Sequence, residues 1–421
     1  MTEIHNQSVI VVGAGFIGLA SALSLLRDGH RVTVIDRAPP LDGFDYRQAC
    51  SYGNACTVAP HGVLPVATPG VAWRVPNMLA NPLGPLAIDW RYLHRLAPWL
   101  LSFLSASCTT RVEHIAATLS TLLKQADPAW RPLMAEAGAM DLREEHGCLY
   151  LYKSPAERPA SDRDADERER HGVNLVRLSA DDVRALEPNL APNFAGGVLF
   201  EDAYVVSSPE LLARRLAKAV LARGGRFVAG DVCGLRIEKQ GVNVDRNGGT
   251  MTADRIVVAG GAWSKNLAAT VGDRIRLDTE RGYHVLFPEG RGLLKRPVCY
   301  TEHGFYMTPM ADGLRAAGTV ELAGLAPPLN ERRTAVIRNA VARLLPSAGK
   351  GTSEWLGFRP SMPDSLPVIG CSSKTDRIVY AFGHGHLGLT LAGLTGTLVG
   401  DLVSGRKPQF DIAALRPDRY S

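Results

Sequence analysis

The chain has 421 residues, 46% hydrophobic and 21% charged, the balance of an ordinary globular protein with a large core and two or three domains. Its formal charge of +5 is spread thinly, without runs of Lys and Arg, which excludes a nucleic-acid footprint and suits an anionic small-molecule partner. Seven cysteines form neither a CxxC pair nor a Cys/His metal spacing, so no metal centre or disulfide framework is expected and a reducing compartment suits them.

The first seven residues are polar and lead straight into Ser8–Val12, a short buried strand. No secretory leader and no uncharged apolar run of membrane-spanning length is expected, so the expected location is cytoplasmic. After a Gly-rich turn, Ile17, Leu19, Ala20, Leu23 and Leu26 follow a helical period up to Asp28-Gly29, and 31–35 is a second strand. This is a βαβ opening.

Prolines are frequent from Pro60 to Pro98 and no regular period holds there; 99–104 and 115–123 then read as apolar helices. The Leu- and Trp-rich stretch 83–104 carries Asp89, Arg91, His94 and Arg95. It reads as a helix facing a core, with peripheral contact on the inner face of a membrane as the alternative. The run 158–170 is dense in charge and reads as an exposed helix or loop. A helix over 209–223 opens after Ser207-Ser208 and closes at Gly224-Gly225. Strands are expected at 226–229, 234–238, 242–246, 255–259, 305–309 and 315–318, a helix at 331–345, and a strand at 377–382 entering a helix over 389–404.

Gly13-Ala14-Gly15-Phe16-Ile17-Gly18 matches G-x-G-x-x-G between strand and helix, the context in which the motif binds a dinucleotide. Gly13 permits the tight turn, Gly15 admits the pyrophosphate to the backbone, and Gly18 lets helix and strand pack closely. The helix N-terminus adds N–H groups and partial positive charge. Asp36 ends the second strand, where an acid bonds an adenosine ribose and disfavours NADP. The motif does not separate FAD from NAD. Gly383-His384-Gly385-His386-Leu387-Gly388-Leu389 joins the last strand to the last helix, a junction suited to negative charge on a reduced flavin.

These segments, together with Ser51-Tyr52-Gly53-Asn54-Ala55, Ala259-Gly260-Gly261-Ala262-Trp263-Ser264 and Gly357-Phe358-Arg359-Pro360, carry a resemblance from about residue 8 to 405. The chain resembles the D-amino-acid oxidase superfamily of flavoproteins, within it the bacterial D-amino-acid dehydrogenase branch. The resemblance implies an α/β fold with a discontinuous Rossmann-type FAD-binding domain (1–78, 203–273 and 356–421). A second, antiparallel-sheet substrate domain (79–202 and 274–355) is implied beside it.

By resemblance, Gly13, Gly15 and Gly18 cradle the pyrophosphate with Phe16 and Ile17, and Asp36 with Arg37 meets the adenosine ribose. Ser51, Asn54 and Ala55 lie against the isoalloxazine. Val232 meets the adenine by its backbone, and Ala259 and Gly260 pass the ribityl-phosphate region near Trp263. Gly385, His386, Leu387, Gly388 and Leu389 contact the flavin pyrimidine. No recognised tether surrounds Cys299, Cys371 or Cys56, so non-covalent FAD is expected.

Arg359 is the expected anchor for a substrate α-carboxylate, because a guanidinium fork binds a carboxylate bidentately; a structural ion pair is the competing reading. Tyr283 and Tyr306 are candidates to close the pocket, with His303, His384 and His386 on its walls; each is equally readable as a structural residue. Tyr306-Met307-Thr308-Pro309-Met310 lacks the second arginine of a glycine-oxidising branch. The implied reaction is oxidation of the C–N bond of a D-amino acid, with electrons passing to a quinone or another carrier. Alternatives are a cyclic-amine (hydroxy-D-proline) dehydrogenase, a sarcosine- or glycine-type oxidase, and a flavin-binding subunit of a larger complex.

Overall fold

The computed structural model describes residues 6–74, 76, 80–300 and 304–420. Ser8–Val12 is buried on both faces by simple alternation. Val9 and Val11 join a core with Leu19, Leu23, Leu212 and Leu216, while Ile10 and Val12 join another with Leu235, Val242 and Val244. That two-sided burial is the setting of a parallel strand covered by two layers. The sheet around it runs, in spatial order, Arg226–Ala229, Arg31–Asp36, Ser8–Val12, Arg255–Val258, Ile378–Phe382 and Val368–Cys371. All neighbours are parallel except the last pair.

Helices Phe16–Arg27 and Gly388–Val403 cover one face, packed closely enough that a Cβ on Gly396 would meet the Ala20 carbonyl. The antiparallel strands Val232–Glu238, Gly241–Arg246 and Gly249–Ala253 cover the other. The stretch Gly385–Val403 is long and apolar enough to cross a membrane on composition, contrary to the sequence expectation. Two thirds of it (67%) is buried inside this fold, as a core helix would be.

A larger sheet stands beside the first. Its order is Ser353–Ser361, Asp278–Phe287, Gly313–Leu322, Phe305–Met310, Val298–Tyr300, Cys148–Tyr152, Gly196–Phe200 and Leu175–Ser179, with Leu86–Ile88 also on Gly313–Leu322. Helix Glu331–Leu344 packs Ile337 and Val341 against Tyr283, Val285 and Phe287 on one face. The other face is turned to the cavities described below. Architecture is therefore α/β: a Rossmann-type unit plus a second unit built on a mostly antiparallel sheet.

Two local expectations need correction. Helix Leu93–Ala106 runs through Pro98, because Leu96, Trp99 and Phe103 bury into an apolar cluster with Leu391, Leu394 and Leu398 and that packing outweighs the missing N–H. The Gly249–Ala253 strand was hidden by its five-residue length and by the Asn247-Gly248-Gly249 turn signal at its start.

Candidate active site

The Gly-rich turn is built by close approach. Gly13 sits at φ +107°, and a Cβ there would strike the Ala259 carbonyl. A Cβ on Gly18 would strike the Gly13 carbonyl, so Gly18 lies behind the turn and packs helix on strand. Gly15 differs: a Cβ there meets only Ser51 Oγ, at 3.2 Å, and the residue lines an open cavity. No side chain of the N-cap covers the start of helix Phe16–Arg27; the Phe16 N–H donates to Ser51 Oγ at 3.1 Å. Asp36 accepts from the Ala14 N–H at 2.7 Å and the Ala38 N–H at 2.8 Å. Its carboxylate thus braces the turn from the cavity wall.

The cavity continues past Asp36 to Val232, with Arg37 held 4.2 Å over the Trp263 ring and 3.8 Å from Asp231. It also passes Ile17, Ala259, Gly260 and Asn54, and ends on Gly385, Gly388 and Leu389 at the start of the last long helix. Glycine cradle, helix N-terminus opening on the cavity and terminal acid together fit an elongated dinucleotide such as FAD. Ala55, His386 and Leu387 lie instead on an adjoining cavity, which shares Cys50, Asn54, His384 and Gly385 with the first.

Arg359 lies in this second cavity. Its guanidinium covers Gly282, where a Cβ would collide with Cζ. Nη1 donates to the Thr319 carbonyl at 3.3 Å. Thr319 has φ +54°, beside a register shift between Asp278–Phe287 and Gly313–Leu322, and a bulge of this kind re-aims backbone groups at sites. Among the described residues Arg359 makes no ion pair. Glu280 faces it directly across the strands, but bonds His386 Nε2 at 2.7 Å. Burial raises the Glu280 pKa, yet His386 and then Arg359 outweigh it and hold the carboxyl below its ordinary range.

Strand alternation separates the two tyrosines. Tyr306 lines the cavity and shares a hydroxyl–hydroxyl hydrogen bond with Tyr150. Tyr283 does not close the pocket: Glu280 and Gly282 face the cavity, while Arg281 and Tyr283 face the opposite side. There the Tyr283 hydroxyl donates to Glu321 at 2.6 Å, and fully buried Arg281 pairs with the same carboxylate at 2.8 Å. His303 falls outside the described residues. His384 is buried, its Nε2 2.9 Å from Thr395 Oγ1, and burial holds its pKa down to about 3.

Three contributors were missed in the sequence. Arg315 is buried and donates to the Tyr52 and Asn54 carbonyls at 2.9 and 3.0 Å, fixing the 51–56 segment from behind. A lone arginine between Leu314 and Ala316 was the available signal. The Trp355 ring covers both Gly53 and Gly357, stacks 5.0 Å from His284, and donates to the Arg47 carbonyl at 2.7 Å. Arg168, in the charged run read as exposed, lines the cavity instead.

The DAO family model, described as FAD dependent oxidoreductase, matches residues 8–402. A protein of Bradyrhizobium diazoefficiens named D-amino-acid oxidase is 40% identical, covering 99% of each chain. Another from the same organism, named D-amino acid dehydrogenase, is 30% identical over 99% of each. The crystal structure of glycine oxidase from Geobacillus kaustophilus superposes with a TM-score of 0.75 at 23% identity, over 99% of each chain, a likeness of fold.

Proposed function

The chain belongs to the DAO family of FAD-dependent oxidoreductases, and we propose that it oxidises the C–N bond of a D-amino acid whose α-carboxylate rests on Arg359. FAD is its cofactor. The observation that carries the substrate reading is the Arg359 guanidinium, spread over Gly282 without an ion pair among the described residues, in a cavity that opens on the dinucleotide cradle. The names of the relatives, oxidase and dehydrogenase of D-amino acids, support the same reading.

Bound FAD supplies the acceptor for the Cα hydrogen and its electron pair, and the imino acid released is hydrolysed by water. The protein's part is orientation and electrostatics. Arg359 fixes the carboxylate bidentately. Glu280, hydrogen-bonded to His386, puts a negative carboxylate where the substrate amine arrives. His384 is neutral at pH 7, so it adds no competing charge.

Electrons pass, in this reading, to a quinone or another carrier; support comes from the resemblance and the dehydrogenase-named relative. Trp73, Trp90 and Leu101, exposed by 88%, 72% and 68%, are compatible with peripheral membrane contact near such an acceptor. The 40% identical relative named an oxidase favours a second reading, in which oxygen is the acceptor. Anaerobic mixing with a panel of D-, L- and N-substituted amino acids tests the first claim: D-amino acids bleach the flavin, and failure of all of them refutes it. Re-oxidation then separates the acceptors, because an oxidase forms hydrogen peroxide at the rate of substrate turnover in air.

A further inference from the structure

Arg168 leaves a helix that otherwise faces solvent. In Arg158–Arg170 only Ala165 is buried as a residue, yet the Arg168 side chain is 13% exposed and lines the substrate cavity with His61, Tyr150 and Tyr306. Its Nε donates to the His61 carbonyl at 3.3 Å and its Nη1 to the Asp164 carbonyl at 3.0 Å. The guanidinium rests 5.9 Å from the Tyr150 ring and 5.5 Å from the Phe200 ring. Nη2 has no hydrogen bond among the described residues. The one carboxylate in ion-pair range among them, that of Asp164 at 3.8 Å, is 67% exposed, so solvent screens it. The guanidinium at the cavity wall thus keeps one nitrogen, Nη2, without a protein acceptor among the described residues.

His61 marks the same end of the cavity independently. It is buried and stacked 4.2 Å from Phe200, and neither ring nitrogen has a hydrogen-bond partner. Burial, then the Arg168 charge, holds its pKa down to about 3. The ring is therefore neutral, with one donor and one acceptor unused.

The sheet sets the spacing of the two cations. Arg359 lies over Asp278–Phe287 and reaches Thr319 in Gly313–Leu322. Tyr150, against which Arg168 rests, is three strands further on, about 14 Å of sheet at ~4.8 Å per strand.

We infer that Arg168 and His61 form a second anion subsite in the substrate cavity, and that the preferred substrates are D-amino acids with a distal carboxylate, of the glutamate or aspartate type. The inference rests on the D-amino acid reading above. Arg359 takes the α-carboxylate and Arg168 the side-chain carboxylate, with His61 donating beside it.

Anaerobic flavin reduction of the holoenzyme by D-glutamate, D-glutamine and D-alanine tests it. The wild type is expected to favour D-glutamate over its amide. Arg168→Gln is expected to lower that acid-to-amide ratio of kcat/KM at least about tenfold, the effect of losing one charge-assisted hydrogen bond, at unchanged FAD content. Should Arg168→Gln not retain FAD, His61→Phe provides the second variant, with a smaller loss in the same ratio. An equal ratio in variant and wild type, or a wild type preferring the amide, overturns the subsite while leaving D-amino acid oxidation standing. If no D-amino acid reduces the flavin, the functional reading fails first and takes this inference with it.

Discussion

Glu280 faces Arg359 directly across two adjacent strands, yet its carboxylate bonds His386 at 2.7 Å and leaves the guanidinium without an ion pair among the described residues. The guanidinium is thus close to a negative charge without being neutralised by contact. A bound carboxylate on Arg359 must still feel that charge. We expect Glu280→Gln to tighten competitive inhibition by a small carboxylic acid that lacks an amine, by about threefold or more at full FAD occupancy. An unchanged inhibition constant would place the carboxylate away from this pair.

Two glycines of one motif have separable roles. Gly15→Val is expected to leave the fold intact and abolish FAD binding, since a Cβ there lies on the cradle and meets only Ser51 Oγ in the protein. Gly18→Val is expected to prevent folding, because its Cβ would collide with the Gly13 carbonyl. Circular dichroism with flavin absorbance checks both. Stoichiometric FAD in Gly15→Val would reduce the motif to a structural turn.

The mode of FAD attachment is open to a direct test. Cys56, Cys299 and Cys371 lie away from the dinucleotide cavity, and of the seven cysteines only Cys50 lines it. Acid precipitation is expected to release the flavin into the supernatant. Yellow colour retained in the pellet, and lost from it in Cys50→Ser, would show a tether at that residue.

Buried neutral histidines make stability pH-dependent. His61 and His384 have pKa values held down to about 3 by burial, with Arg168 adding to the effect at His61, and His284 is lowered well below its ordinary value, by burial and then Arg315. The unfolded chain binds protons on these rings below about pH 6.5 and the folded chain does not, so stability falls as pH drops from 7 towards 3. His61 and His384 each contribute on the order of 2 kcal/mol of loss at pH 5, and His284 adds a loss of the same sign. Denaturant midpoints at pH 7 and 5 measure the loss, which is expected to be smaller in His61→Phe. Equal losses in the two proteins would mean that His61 is protonated in the fold.

Much of this was legible in the sequence because it depends on local pattern. The strand–turn–helix at Ser8–Arg27, the acid at Asp36 and the Gly-rich junction at Gly385–Leu387 are contiguous motifs with fixed spacing. Failures came where tertiary context decides. Tyr283 was turned from the pocket by strand alternation and by Glu321 on the far face. Arg168 looked like one charge among many until its helix was seen to lean it against Tyr150 and Phe200. Trp355 sits two residues from a recognised motif glycine, but only the fold shows its ring over Gly53.

The most direct test of the account is Arg359→Lys, assayed by anaerobic flavin reduction with a D-amino acid and with the matching amine that lacks the carboxylate. Lys keeps the charge and loses the fork. With FAD content unchanged, kcat/KM for the amino acid is expected to fall at least tenfold, mostly through KM, as loss of a charge-assisted hydrogen bond of about 1.5–3 kcal/mol requires. The amine is expected to be a poor substrate of both proteins and to change little. Undiminished amino-acid turnover by the variant at full FAD occupancy would contradict the placement of the substrate on Arg359.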